Sequence, residues 1–405
     1  MSTITGEITR ISGNVSDSLT EVGNKGVVVP VGANSDDLAG LIRQIQQGGG
    51  TENPFFSLTD LQYMFDYRDL NTEGIYDAIE RFSRNNITGL NHTFYNASDS
   101  DYQNQKDLMT LIKKICTNTT ISNFGYALAN FVNYNAASYN KVLDLSDLKI
   151  SGTADHGFNA AGSNNGTLKI KLKSDSFDTA TRVDYLFSGT RASIKFELNE
   201  NKLYFRNVTD TNGYDQMMQN TNRTGVFVDS NDVPITEITI YLELSTRKHT
   251  FNSSFYGCLC FERINFNSTE TISTFYDTFV NCDNLKSLSG INLSGLSSTA
   301  NRPFGESSTN HYLTNFGDFG LVTGSTLGTT NNLQFKMNKI WHATADTVID
   351  GQTVGYWYEK FANALGNKAA TGTQTITINT TLYNSLTATQ IALITDKGYT
   401  LAHAA

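Results

Sequence analysis

Five phenylalanines of this chain, Phe65, Phe94, Phe187, Phe255 and Phe279, stand in one repeated context. Four residues before each comes an apolar residue: Leu61, Leu90, Val183, Phe251 and Phe275. Three residues after comes a small one at Ala97, Thr190, Cys258 and Cys282, with Arg68 the exception. An i, i+4 pair lies on one face of a helical turn. A strand-like alternation follows: Ile194, Phe196 and Leu198 after Phe187; Ile264 and Phe266 after Phe255; Leu288, Ile291 and Leu293 after Phe279. The unit read from this pattern is one helical turn and one short strand. Phe255 and Phe279 are 24 residues apart, and Phe65 and Phe94 are 29. Both spacings fall in the period range of solenoid proteins. The longer gap between Phe187 and Phe255 predicts degenerate coils or an insertion over 206–234.

Such units cannot bury their apolar faces alone; stacking hides those faces and aligns the strands in parallel. The expected fold over 51–405 is therefore an α/β repeat, a solenoid of stacked short parallel strands. Its end is also legible. Thr387 with Gln390 makes a capping box, Ile391 and Ile394 give an apolar face, and Gly398 stands at the C′ position of a helix. With Tyr399 to Ala402 as a last strand, 380–405 forms a C-terminal cap.

The N-terminal 50 residues read differently. Ile4, Ile8, Ile11, Val15, Leu19 and Val22 recur in steps of mostly three and four, which is helical periodicity. Isoleucines at both core positions of a coiled coil favour trimers over dimers. A lone helix this short, holding Gly6 and Gly13, is marginal in water, so it needs partners. Ser35 fits an N-cap, and Leu38, Leu41, Ile42 and Ile45 form a second apolar face. Gly48 to Gly50 then make a flexible hinge. Residues 1–50 are thus expected to be a helical, coiled-coil-type oligomerisation anchor, giving a homo-oligomer with a trimer favoured.

The order Ile8 to Asp17, Lys25-Gly26-Val27 and Ser35 to Leu38 resembles a segment of minor structural proteins of phages and prophages, of the head-fibre or tail-fibre type. Thr274 to Leu285 resembles the repeat core of leucine-rich-repeat-like solenoids in bacterial surface proteins and phage structural proteins. Leu313 to Gly317, Val354 to Leu365, Thr375 to Ile378 and Leu386 to Ala402 are similar to the closing coils of the phage versions. The fit departs over 150–235, where the repeat phase is poor. The resemblance implies a structural component of a bacteriophage virion, assembled in the host cytoplasm. It would be a fibre or capsid decoration projecting from head or tail, with capsid or tail proteins as partners and a host cell-surface glycan as a further one.

Net charge is −9, and no Lys/Arg cluster exceeds a pair. Nothing tracks a phosphate backbone, so no nucleic-acid partner is expected. Met1 to Gly13 hold no apolar run, so no signal peptide is expected. No window approaches the roughly 18 apolar residues of a membrane helix. Cys116, Cys258, Cys260 and Cys282 read as buried thiols. The sequence offers no catalytic, cofactor or metal residue: there is no phosphate loop, no His-Glu-x-x-His and no Cys-x-x-Cys. The histidines are scattered singly. Asp99, Asp101 and Asp107, and Asp144 with Asp147, are acidic patches without assignable spacing for glycoside hydrolysis. Trp341, Tyr356, Trp357 and Tyr358 suit packing more than sugar stacking. The chain is expected not to be an enzyme. A polysaccharide-degrading tail spike and a bacterial surface adhesin are the alternatives, the adhesin disfavoured by the missing leader and wall anchor.

Overall fold

In a computed structural model, the described residues are 4–24, 29–35, 37, 61, 87–95, 105–117, 119–131, 140–161, 167–190, 194–221, 224–242, 249–267, 272–290, 295–297, 300–305, 315–318, 332–349, 351–368 and 371–405. The chain forms two compact units, Met1–Thr59 with Asp77–Asn86, and Asp60–Tyr76 with Ile87–Ala405.

In the first unit, helix α1 spans Ile4–Asn24. Val22 is buried, with Leu19, Val29 and Ala33 packed against it. This end of the stripe is therefore covered by the chain's own following segment. Val15 and Leu19 are half-buried; the side chains of Ile4, Ile8 and Ile11, and residues 38–50, lie outside the described residues.

The second unit is a parallel β-solenoid of about 8 turns with few helices. One four-stranded parallel sheet takes Asn140–Asp144, Thr167–Leu172, Ile194–Leu198 and Phe227–Val228. A five-stranded one takes Lys202–Phe205, Glu237–Leu242, Arg263–Asn267, Ser287–Ser289 and Asn315–Asp318. Alternation decides which face turns inward: Ile194, Phe196 and Leu198 are buried, as are Ile238, Ile240 and Leu242 in the next sheet. Successive coils keep register, Ile264 lying beside Ile238 on one side and Leu288 on the other.

The segment holding the repeated Phe is not a helical turn. It is a run of tight turns in which every fourth residue takes a left-handed conformation. The pairs are Tyr126 and Asn130, His156 and Ala160, Tyr185 and Gly189, Gln216 and Asn220, Ser253 and Gly257, and Asp277 and Asn281. A period of four therefore arises without an α-helix, and the i, i+4 apolar spacing cannot distinguish the two. Alternate amides point to different partners. Those of Tyr126 and Leu128 donate to Asp155 O and Gly157 O on the next coil, while those of Ala127 and Ala129 donate to Phe124 O and Tyr126 O within the coil. Each left-handed residue costs roughly 1–2 kcal/mol, and the inter-coil bonds offset that cost.

Phe94, Phe187, Phe255 and Phe279 are all buried in this run, and Leu128, Phe158 and Met218 occupy the same phase on the coils between; Phe65 lies outside the described residues. The stretch 206–234 carries a further coil of the ladder. Phe187 N donates to Met217 O and Met218 N to Ser254 O, continuing the ladder through it.

Helix α2 (Gln105–Thr117) lies in the chain between the coil of His92 and that of Tyr126. The far end is closed by α3 (Val354–Ala364), α4 (Thr380–Tyr383) and α5 (Ala388–Thr395), with a parallel sheet of Ala300–Asn301, Gln334–Lys336, Thr375–Asn379 and Thr400–Ala404. The Thr387–Gln390 capping box starts α5, and Gly398 has φ +88°.

Candidate functional site

The left-handed residues that open each run form one column across the coils: His92, Tyr126, His156 and Tyr185. A left-handed residue turns its side chain outward from the run, so equivalent side chains stack between coils. The three ring pairs lie 4.4, 4.2 and 4.2 Å apart at 13°, 9° and 12°. All four rings are half-buried. Their faces cover one another; His92 Nδ1 is bonded to Asn91 Oδ1 at 2.9 Å and His156 Nδ1 is buried.

The residues just before these four, and before Gln216 and Ser253 on the next two coils, form a polar column: Asn91, Gly125, Asp155, Asp184, Asp215 and Asn252. Asp155 accepts from Thr153 Oγ1 at 2.5 Å and lies 3.4 Å from His156 Nδ1. Burial pushes its carboxyl up, but those contacts and the charge of Arg182 outweigh it and hold the pKa below the usual value. Asp184 is gripped bidentately by Arg182, at 2.5 and 2.8 Å. Burial dominates there and raises the carboxyl, the Arg182 fork offsetting only part. Asp215 is likewise raised by burial, although it accepts from Thr250 Oγ1 at 2.7 Å and from Asn252 N at 2.8 Å. Arg182 also lies 4.0 Å from Asp210.

Beside these columns runs an open groove of about 540 Å³. Five successive coils line it, through Asn91 and His92, Asn123 and Tyr126, Thr153 and Asp155, Thr181 and Arg182, and Thr209 and Asp210. None of these residues is aliphatic. At Gly125 the polar column loses its side chain. A Cβ there would lie 2.9 Å from Asp155 Oδ1, 3.1 Å from Asn91 Oδ1 and 3.3 Å from Asn123 Oδ1. No side chain fits there, because three oxygens engaged within the protein crowd the position. Each carboxylate beside it has a partner in the protein, so the arrangement is suited to hydrogen-bonding a ligand.

The histidines, read as singly scattered, are not all so: His92 and His156 share one column, and His249 is fully buried with Nδ1 3.1 Å from Asp210 O. The signal in the sequence was an aromatic or His two residues after the apolar residue, at 92, 126, 156 and 185. Asp144 pairs with Lys113 at 2.6 Å and Asp147 with Lys173 at 3.0 Å; Asp99 and Asp101 lie outside the described residues. Trp341, Trp357 and Tyr358 are buried, and Tyr356 is exposed. Cys258, Cys260 and Cys282 are buried free thiols. Among the described residues, no group of three or more His, Cys, Asp or Glu is placed to hold a metal ion. Among them also, no helix is long and apolar enough to cross a membrane.

The chain matches no protein family, no curated protein and no solved structure.

Proposed function

We propose that the chain is a structural component of a bacteriophage particle, a head or tail fibre whose leucine-rich-repeat-like solenoid projects outward and touches the host surface. The observation that carries this reading is a combination. A segment resembling phage minor structural proteins, over Ile8 to Leu38, precedes a repeat body whose coils are tied by continuous backbone ladders. Such a body is a stiff spacer that contacts only its neighbours coil to coil. The anchor is an oligomer formed through Ile4, Ile8, Ile11 and Val15, trimeric by the preference of isoleucine cores.

A mass-spectrometric inventory of purified particles from the producing cells tests the assignment. Peptides of the chain at a fixed ratio to capsid protein are expected; their restriction to the soluble lysate overturns it. Light scattering tests the anchor on the full chain. The parent should be an oligomer and Ile8→Asp with Ile11→Asp a monomer; a monomeric parent removes the anchor.

The polysaccharide-degrading spike is the second reading, favoured only by the Asp155, Asp184 and Asp215 column. A glycosidase needs one carboxyl free to give a proton and a second to assist. Asp184 is buried in an arginine fork and Asp155 is held by Thr153, which favours binding over cleavage.

A further inference from the structure

We propose that the groove beside the His92–Tyr185 column binds a linear, neutral polysaccharide lying across the coils, parallel to the solenoid axis. The proposal deepens the host-contact part of the appendage reading and rests on that reading only for where the ligand comes from.

Three observations carry it. The first is periodicity. The groove is built by five coils in succession, each adding an amide, hydroxyl or carboxylate. Parallel strands are spaced by about 4.8 Å, close to the rise of one ring in an extended pyranose chain. The five coils therefore present a repeating set of partners over roughly 19 Å, which a repeating polymer meets and a compact small molecule does not.

The second is charge. Arg182 is held by Asp184 and lies near Asp210, and Asp155 is held by Thr153 and faces His156. These charges are taken up within the protein. With a net charge of −9, the chain offers a polyanion no attraction. Extended peptides need pockets for their alternate side chains, and this groove has no aliphatic lining. Amides, hydroxyls and ring edges remain, which are the partners of sugar hydroxyls.

The third is the crowding at Gly125. Asn91 Oδ1, Asn123 Oδ1 and Asp155 Oδ1 stand 2.9–3.3 Å from where a Cβ would be, and each is engaged within the protein, by His92 Nδ1, Gly125 N and Thr153 Oγ1. With their oxygens so fixed, Asn91 and Asn123 offer a sugar edge their side-chain N–H donors. Because the ladder rings cover each other's faces, the ligand is held by hydrogen bonds at ring edges and not by stacking.

The test is calorimetric titration of the full chain with β1,4-linked hexasaccharides of glucose, N-acetylglucosamine and mannose, and with the three monosaccharides. At least one hexasaccharide should bind saturably, and at least tenfold more tightly than its monosaccharide, since only the chain spans several coils. Asn123→Ala, on the half-exposed rim, removes an amide that lines the groove, and affinity should drop at least tenfold. Thr181→Val removes a hydroxyl from another lining coil at nearly constant shape, so the fold should persist, with the same expected loss. No binding by any hexasaccharide overturns the proposal, as does equal binding by parent and variant. A null titration leaves the particle inventory standing, and absence from particles leaves the titration standing.

Discussion

Phe255 and Phe279 stack face to face between adjacent coils, with ring centroids 5.2 Å apart and planes 17° apart. Both are fully buried, and Phe279 also packs edge-on against Phe275 and stacks on Phe304 at 6.2 Å. Removing the ring would leave a cavity that rigid coils cannot close, since each is fixed by backbone bonds to its neighbours. Phe279→Ala should therefore cost about 3–5 kcal/mol. Urea unfolding of the full chain measures this. A midpoint equal to the parent's would mean that the stacked column is not what holds these coils together.

The column is legible at Phe94, Phe187, Phe255 and Phe279. It escapes notice at Phe158, where the residue four before is only Ala154, and on the coils of Phe124 to Leu128 and Tyr214 to Met218, because leucine and methionine fill the same inward position there and carry no distinctive spacing. The left-handed residues were not legible at all. Tyr126, His156 and Tyr185 are not glycines, and nothing local announces φ near +55° in an aromatic. That geometry is imposed by the hydrogen bonds of the next coil, which are absent until stacking occurs. The groove has the same origin: Asn91, Asn123, Asp155 and Thr209 are distant in the chain and come together only through the register between coils. The capping box at Thr387 and Gln390 is wholly local and was readable directly.

The second left-handed position of each run gives a matched pair of tests. Gly189 has φ +64° and Ala160 stands at the equivalent place with φ +51°. A Cβ on Gly189 would meet nothing closer than 3.9 Å, so substitution there measures conformation and not crowding. Gly189→Ala should cost about 1 kcal/mol. Ala160→Gly should stabilise by less than that, because glycine also loses more backbone freedom on folding. Thermal unfolding of both variants decides it. A destabilised Ala160→Gly would show that the alanine methyl matters more than the backbone.

Acid sensitivity should have an identifiable component at Asp144. Burial raises its carboxyl, but the Lys113 ammonium and the Ser146 hydroxyl and amide outweigh that and bring the pKa to about 2, from an ordinary 3.8. The folded state thus favours the ionised form. This contribution is full above the unfolded value near pH 4 and is lost as pH falls towards 2. Both side chains are over a third exposed, at 44 % and 35 %, so screening limits the effect to about 1 kcal/mol or less. Lys113→Met should be less stable than the parent at pH 6, and the difference should shrink towards pH 2. A gap independent of pH would assign it to packing of the lysine stem.

Lys397 closes the far end of the solenoid by an interaction across elements. Helix α3 ends at Ala364 with no basic residue in its own last turn. Its final carbonyls have no partner within the helix. Lys397, just beyond α5, places its Nζ 2.6 Å from Ala362 O and 3.1 Å from Asn363 O, and also donates to Leu365 O. One ammonium thus caps three carbonyls where the helix dipole is negative. A cation in that place contributes about 0.3–1 kcal/mol, and up to about 2 when partly buried. Burial lowers the Lys397 pKa and so offsets part of this gain; Lys397→Met keeps the apolar stem and removes the charge, so a loss of about 0.3–1 kcal/mol is expected. Lys397→Arg should not restore it, because a planar fork cannot converge on three oxygens as an ammonium does. Chemical unfolding of the full chain would measure both variants. If methionine is tolerated without loss, or arginine recovers the parent's stability, the contact is an incidental surface one and the packing of α5 alone holds the end closed.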